Sequence, residues 1–190
     1  MPTTSSHEQA ESVIRRVLEA MIDEPRKLQV EAITVPRRVN WRVTADINDT
    51  GKLVGKMGVH LTAIWALLSV MGERVGEVWA FRVADPEEGE RVRKEPVAAN
   101  PEHNPGADHA LLLDVLKLLL AAPCSIQIES PAACHFRFTV RLGSVQDHER
   151  MHTPVPVRND LVPPFEALQV VFRAIGKQRS VTYQIQFPAK

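Results

Sequence analysis

The sequence predicts an α/β protein built from two similar units, each a three-stranded sheet with helices on one face. Three observations predict it. Val39, Trp41, Val43, Ala45 and Ile47 alternate with Asn40, Arg42, Thr44, Asp46 and Asn48, the period of a strand with one dry face. A helical stripe of Leu61, Ile64, Trp65, Leu68 and Met71 follows across a Gly-x-x-Gly segment. A shift of 104 residues then lays Ala63–Leu68 on Ala167–Phe172, and Gly72 on Gly176, the mark of an internal repeat.

A chain of 190 residues is long for one small domain and sufficient for two. Its formal charge is zero, so no large basic field announces nucleic acid or an anionic membrane. The balance is uneven. Residues 1–84 carry 11 basic and 10 acidic side chains, 85–108 carry 3 and 7, and 109–190 carry 9 and 6. An acidic connector thus separates two weakly positive parts. Cys124 and Cys134 lack a C-x-x-C spacing and read as reduced, partly buried thiols. No apolar run nears the roughly 18 residues of a membrane span, and the N-terminus lacks the charged start and apolar middle of a signal peptide. A cytoplasmic location and no membrane contact are expected.

In chain order, residues 1–6 are a polar tail. From His7 to Ile22, Ala10, Val13, Ile14, Val17, Leu18 and Met21 keep a helical period, and Pro25 closes the helix. Leu28 to Val35 reads as a strand, Pro36 to Arg38 as a turn, and the alternating strand comes next. The helix after the Gly-x-x-Gly segment runs to about Met71, with Gly72 placed for its left-handed C-terminus. Glu77 to Val83 is a third strand. Residues 85–108, with Pro86, Pro96, Pro101 and Pro105, read as a flexible linker.

The second unit, residues 109–190, opens with the very apolar helix Ala110–Ala122, which needs cover on more than one side. Cys124–Glu129 and the alternation of Phe136, Phe138, Val140 and Leu142 are strands. Pro164–Ile175 is a helix, and Val181, Tyr183, Ile185 and Phe187 mark a last strand. The two copies differ at one place. The shift sets Gly55-Lys56-Met57-Gly58 opposite Asn159-Asp160-Leu161-Val162, and no Gly-x-x-Gly stands between Gly143 and Pro164.

The stretch Gly51-Lys52-Leu53-Val54-Gly55-Lys56-Met57-Gly58-Val59-His60-Leu61 resembles the signature of the KH domain of RNA-binding proteins. The order of elements over residues 8–84 is similar to the bacterial, type II arrangement, in which an extra helix and strand precede the shared core. The longer Gly-Lys-x-x-Gly-Lys-x-Gly string resembles the small single-domain bacterial proteins of the KhpA type. The resemblance implies that the loop clamps the backbone of about four nucleotides. Gly55 and Gly58 would let phosphate approach, and Lys56 and Lys52 would supply charge. Val54, Leu61 and neighbouring aliphatics would floor a groove under the bases, and His60 would add a hydrogen bond or a stacking surface. Met57 and Val59 stand where relatives often carry polar, basic or hydroxyl residues, which implies weak, sequence-tolerant binding. The bland alternative makes Gly55 and Gly58 a tight turn between helices.

His148-Glu149-Arg150-Met151-His152 matches His-Glu-x-x-His, which on a long helix aims two imidazoles at one zinc. Thr153-Pro154-Val155-Pro156 leaves room for barely two turns, and no third ligand follows at protease spacing. No metal, cofactor or catalytic residue is assigned. His103, His109 and His135 read as solvated or packed, and Trp41, Trp65 and Trp79 as packing. The function expected is non-catalytic binding of single-stranded RNA by the first unit, with the second, a degenerate KH-like copy, packing against it, dimerising or holding a protein partner. The reading from another class is a protein–protein module or ribosome-associated scaffold that keeps the KH shape. Its support is the balanced charge, the acidic connector, the second unit's lost loop and the apolar Leu111–Leu120 segment.

Overall fold

A computed structural model describes residues 4–84, 105–157 and 160–188. Helix α1 (Thr4–Glu19) leads into strands β1 (Gln29–Val35) and β2 (Arg38–Thr44). Helices α2 (Ile47–Val54) and α3 (Val59–Val75) then flank the glycine loop, and β3 (Val78–Val83) closes the first unit. β2 is central, antiparallel to β1 and parallel to β3, with Trp41 between Ala32 and Phe81. A parallel pair requires a crossover, and α2, the loop and α3 are that crossover.

The second half repeats this topology. Helix α4 (Pro105–Leu119), strands β4 (Cys124–Ala132) and β5 (His135–Leu142), helix α5 (Val145–His152), helix α6 (Pro164–Gln178) and the last strand, β8 (Thr182–Gln186), follow in order. β5 is central, antiparallel to β4 and parallel to β8, with Phe138 between Ile128 and Ile185. A clear departure is a short hairpin, β6 (Val155–Val157) with β7 (Asp160–Val162), inserted between α5 and α6 where the first unit has its glycines.

Each sheet buries one face only. Val39, Trp41, Val43, Trp79 and Phe81 point inward in the first, and Phe138, Val140, Tyr183 and Ile185 in the second. Glu31, Arg42 and Arg82 lie exposed on the first sheet's other face, as period-two patterning requires. The helices cover the inner faces and pack on one another, α3 on α6 and α1 on α4. Val13 and Val17 of α1, Ile64 and Leu68 of α3, Val115 of α4 and Phe172 of α6 meet around one small apolar crevice. Leu112, Leu116 and Leu119 of α4 are wholly buried, which answers the demand of that apolar helix for cover on several sides. Polar ties run beside the apolar contact. Arg16 pairs with Asp114 at 2.7 Å, and Arg74 donates to the Lys117 and Leu118 carbonyls at 2.9 and 2.6 Å.

Several boundaries move, for identifiable reasons. Ile47 continues the strand alternation in sequence but opens α2, because the Asp46 carboxylate accepts the Asn48 N–H at 3.0 Å and caps a helix there. Helix α3 does not end at Gly72. It continues to Val75, and Gly76, at φ 75°, takes the left-handed position. Gly72 is instead buried inside the helix, where a Cβ would stand 2.8 Å from the Glu77 carbonyl oxygen and 2.8 Å from the Trp79 ring. Residues 105–108, read as the end of the linker, form the first turn of α4. There Asp108 is buried and accepts from Arg179 and Tyr183. Most of the connector, residues 85–104, and His103 with it, lies outside the described residues. Cys124 is half-buried as expected, whereas Cys134 is exposed in the β4–β5 turn at φ 58°.

Among the described residues no single helix is long and apolar enough to cross a membrane. Helices α2 and α3 reach that length only together, across a 43° bend, and α3 is largely buried in the core.

Candidate nucleic-acid interface

Between α2 and α3 the backbone makes a turn that only particular residues tolerate. Gly55 (φ 74°, ψ 170°) ends α2, its N–H donating to Gly51 O at 2.9 Å. Lys56-Met57-Gly58 forms one 3₁₀ turn, with Met57 at φ 56° and Gly58 at φ 80°. Three left-handed residues in a four-residue loop explain the two glycines, since a Cβ is disfavoured there. Gly55 has a second constraint. A Cβ on it would lie 2.6 Å from the His60 ring. That ring donates from Nδ1 to the Lys52 carbonyl at 2.6 Å, so His60 pins the loop to the end of α2. Its hydrogen bond is thus intramolecular. Gly58 faces open space, and a Cβ added there would meet nothing within 4 Å.

The loop tip is bare. Met57 is 96 % exposed and Val59 44 %. Helix α3 starts at Val59 with no side chain capping its N-terminus. The Gly58 and Val59 N–H groups bond the Gly55 and Lys56 carbonyls within the turn, and the positive end of the helix dipole faces the loop. Lys56 is exposed and pairs with no carboxylate among the described residues. Lys52 is placed differently. Its Nζ lies 2.5 Å from Asp23, 3.3 Å from Asp49 and 3.3 Å from the Gln178 side-chain oxygen. Its charge is largely spent on holding the loop's base. Leu53 is wholly buried and anchors α2, while Val54 and Leu61 are half-buried on the flanks of the loop.

Asp49 is the hidden support. Its carboxylate is 1 % exposed and accepts the backbone N–H groups of Asp23 and Glu24 at 3.1 and 2.9 Å. The second unit repeats the device. Asp147, also 1 % exposed, accepts from Ala121 and Ala122 N–H at 2.9 Å each. Burial pushes the Asp147 carboxyl up, but the two amides, the Ser144 hydroxyl contact and Arg150 outweigh it and hold it below its ordinary value.

A cleft of about 380 Å³ opens beside the loop. One wall is the α2 face carrying Asn48, Gly51 and Lys52, continued by Gly55, Lys56 and His60. The other wall comes from the second unit, Ala174, Lys177 and Gln178 at the end of α6. Gln178 bonds both Lys52 and Asp23 across it. Asp23, Lys177 and Gln178 carry no motif, and only a three-dimensional placement reveals them. The Asn48, Gly51, Lys52, Gly55 spacing is a one-face helical pattern that the sequence does display.

At the equivalent place in the second unit the His-Glu-x-x-His string lies on eight-residue α5. The two imidazoles stack face to face, centroids 4.4 Å apart, and His152 Nδ1 donates to the His148 carbonyl at 2.9 Å. Phe165 continues the stack at 5.3 Å. Among the described residues no three His, Cys, Asp or Glu side chains converge as a metal site would require.

The first unit's three-stranded sheet with one parallel pair, crossed by two helices that meet at a glycine loop, is the architecture of a KH domain, an RNA-binding module. Residues 11–83 match the family model "KhpA/KhpB, KH domain", so this part of the chain is similar to the KH domains of KhpA and KhpB. A comparison with curated proteins gives no match.

Proposed function

We propose that the protein binds single-stranded RNA without catalysing a reaction, holding the strand at Lys56-Met57-Gly58 of the first unit. The carrying observation is the bare loop tip, where left-handed glycines and an uncapped helix N-terminus stand beside the exposed Lys56. Phosphate oxygens favour positive potential and a path without a Cβ, and the Lys56 ammonium, the helix N-terminus and the open side of Gly58 support both. Gly55, Val59 and His60 shape this turn, and Lys52 steadies it. Val54 and Leu61 flank it as the apolar surface for bases. On this reading residues 1–84 are the binding unit, 85–108 the connector, and 109–190 a degenerate KH-like copy whose topology matches while its loop is a hairpin. The second copy packs its helices on those of the first. The location proposed is cytoplasmic.

Lys56→Glu and Gly58→Asp are the test. The Lys56 side chain is exposed, and a Cβ at Gly58 meets nothing within 4 Å but is strained by its φ of 80°, so Lys56→Glu is the cleaner of the two. Each is expected to weaken binding of a short single-stranded RNA about tenfold or more at moderate salt, with an unchanged melting temperature for Lys56→Glu. Equal affinity of both variants and the wild type removes the loop from the reading. Gly55→Asp is a poorer probe, since it also collides with His60.

A protein-interaction module remains the second reading. Ile33, Val35 and Val78 are 42, 43 and 62 % exposed on the outer face of the first sheet, an apolar corner that a partner would cover. A gel-filtration mass combined with the 260/280 nm absorbance of the purified protein separates the two.

A further inference from the structure

The cleft beside the loop belongs to neither unit alone, and this has a chemical meaning. Its first wall ends in Lys56 and its second in Lys177, both exposed and neither paired with a carboxylate among the described residues. The third cation of the cleft, Lys52, is neutralised by Asp23 and Asp49. Lys56 and Lys177 are therefore the cations that line the cleft from its two walls without a carboxylate partner among the described residues. Gln178, which bonds Lys52 and Asp23, fastens the end of α6 to the base of α2 and so fixes where Lys177 stands relative to the loop.

We propose that the RNA strand continues from the glycine loop along this cleft, and that Lys177 of the second unit binds a backbone phosphate next to the one held at Lys56. The inference rests on the RNA reading above and deepens it: the second unit, though without a glycine loop, completes the binding site of the first. The ligand recognised is the phosphodiester backbone, not a base, because the wall facing Lys56 offers a cation and an amide side chain and no exposed ring. A single-stranded backbone crosses such a groove without sequence preference.

The test compares the full chain with Lys177→Glu, Lys177→Ala, Lys56→Glu and a control, Arg173→Glu, by titrating a fluorescent oligouridylate at several salt concentrations. Arg173 is exposed on the same helix but does not line the cleft. Lys177→Glu is expected to weaken binding roughly two- to tenfold. Lys177→Ala is expected to flatten the log–log salt dependence by about 0.7, the value of one lost single-strand phosphate contact. Arg173→Glu is expected to do neither. If Lys56→Glu weakens binding while Lys177→Glu matches the wild type, the shared cleft is refuted and the loop reading stands. Equal losses in Lys177→Glu and Arg173→Glu reduce the effect to general charge and also refute it. A wild type that binds no oligonucleotide, or a Lys56→Glu variant that binds normally, brings down the underlying RNA reading instead.

Discussion

Asp147→Ala is expected to lower stability by about 2–3 kcal/mol, which in a chain of 190 residues moves the melting temperature by roughly 5–10 °C. The carboxylate is almost wholly buried, yet it accepts two consecutive backbone amides and so closes the corner between α4 and β4. Hydrogen bonds to a charged acceptor contribute about 1.5–3 kcal/mol each, and alanine leaves both donors without it. Some of that is recovered because Ala121 is exposed to water. Asp49→Ala is expected to cost a similar amount, since Asp49 holds Asp23 and Glu24 in the same way and also pairs with Lys52.

The sign of the pH dependence follows from the lowered carboxyl of Asp147. Its stabilisation is fully present above the unfolded value, near 4, and is lost as pH falls through the lower folded value. The gap between wild type and Asp147→Ala in urea midpoint should therefore be constant from pH 5 to 7 and shrink in stronger acid. A gap that widens on acidification contradicts the assignment.

The second large effect is at a pair of glycines. Alanine for glycine inside a helix ordinarily stabilises by about 0.5–1 kcal/mol. At Gly72 and Gly176 the sign should reverse. A methyl group at Gly72 would lie 2.8 Å from the Glu77 carbonyl oxygen, and one at Gly176 would lie 2.6 Å from that of Val181. Both oxygens are backbone, and their residues are tied to the helix, because Glu77 N–H donates to Gly72 O and Val181 N–H to Gly176 O. Relief requires the helix and the next strand to part, an overpacking cost of about 1–3 kcal/mol for alanine and more for valine. Gly51, in α2, has nothing within 4 Å, so Gly51→Ala should stabilise. Denaturant midpoints of the three alanine variants decide the matter, and a stabilised Gly72→Ala would show the contact to be soft.

These glycines also show how much was legible in the sequence. The alignment of Gly72 with Gly176 was visible, but its cause was not. A glycine after an apolar helical stripe looks like a C-terminus, and nothing local separates Gly72 from Gly76. What separates them is the carbonyl five residues on and the aromatic ring seven on, Trp79 in one half and Tyr183 in the other. The strands, the apolar faces and the glycine loop were legible because periodicity and backbone conformation are local properties. Helix α2 was blurred because Ile47 prolongs the strand alternation, while the feature that ends the strand is a single capping carboxylate at Asp46. Asp49 and Asp147 looked like ordinary first-turn acids, since burial is decided by the chain folding over them. Lys52 read as a binding cation for the same reason. Its partners Asp23 and Gln178 lie far away in sequence.

The layer formed by α1, α3, α4 and α6 bears on how the molecule comes apart. Those helices turn apolar side chains toward one another as well as toward their own sheets, so loss of either unit would strand Ile64, Leu68, Leu168 and Phe172 in water. Neither half then has an independent melting point to display. Heating should give one cooperative transition with equal calorimetric and van 't Hoff enthalpies, despite a connector long enough to suggest two beads on a string. Cutting that connector should leave two fragments that stay associated, each serving as the other's missing wall.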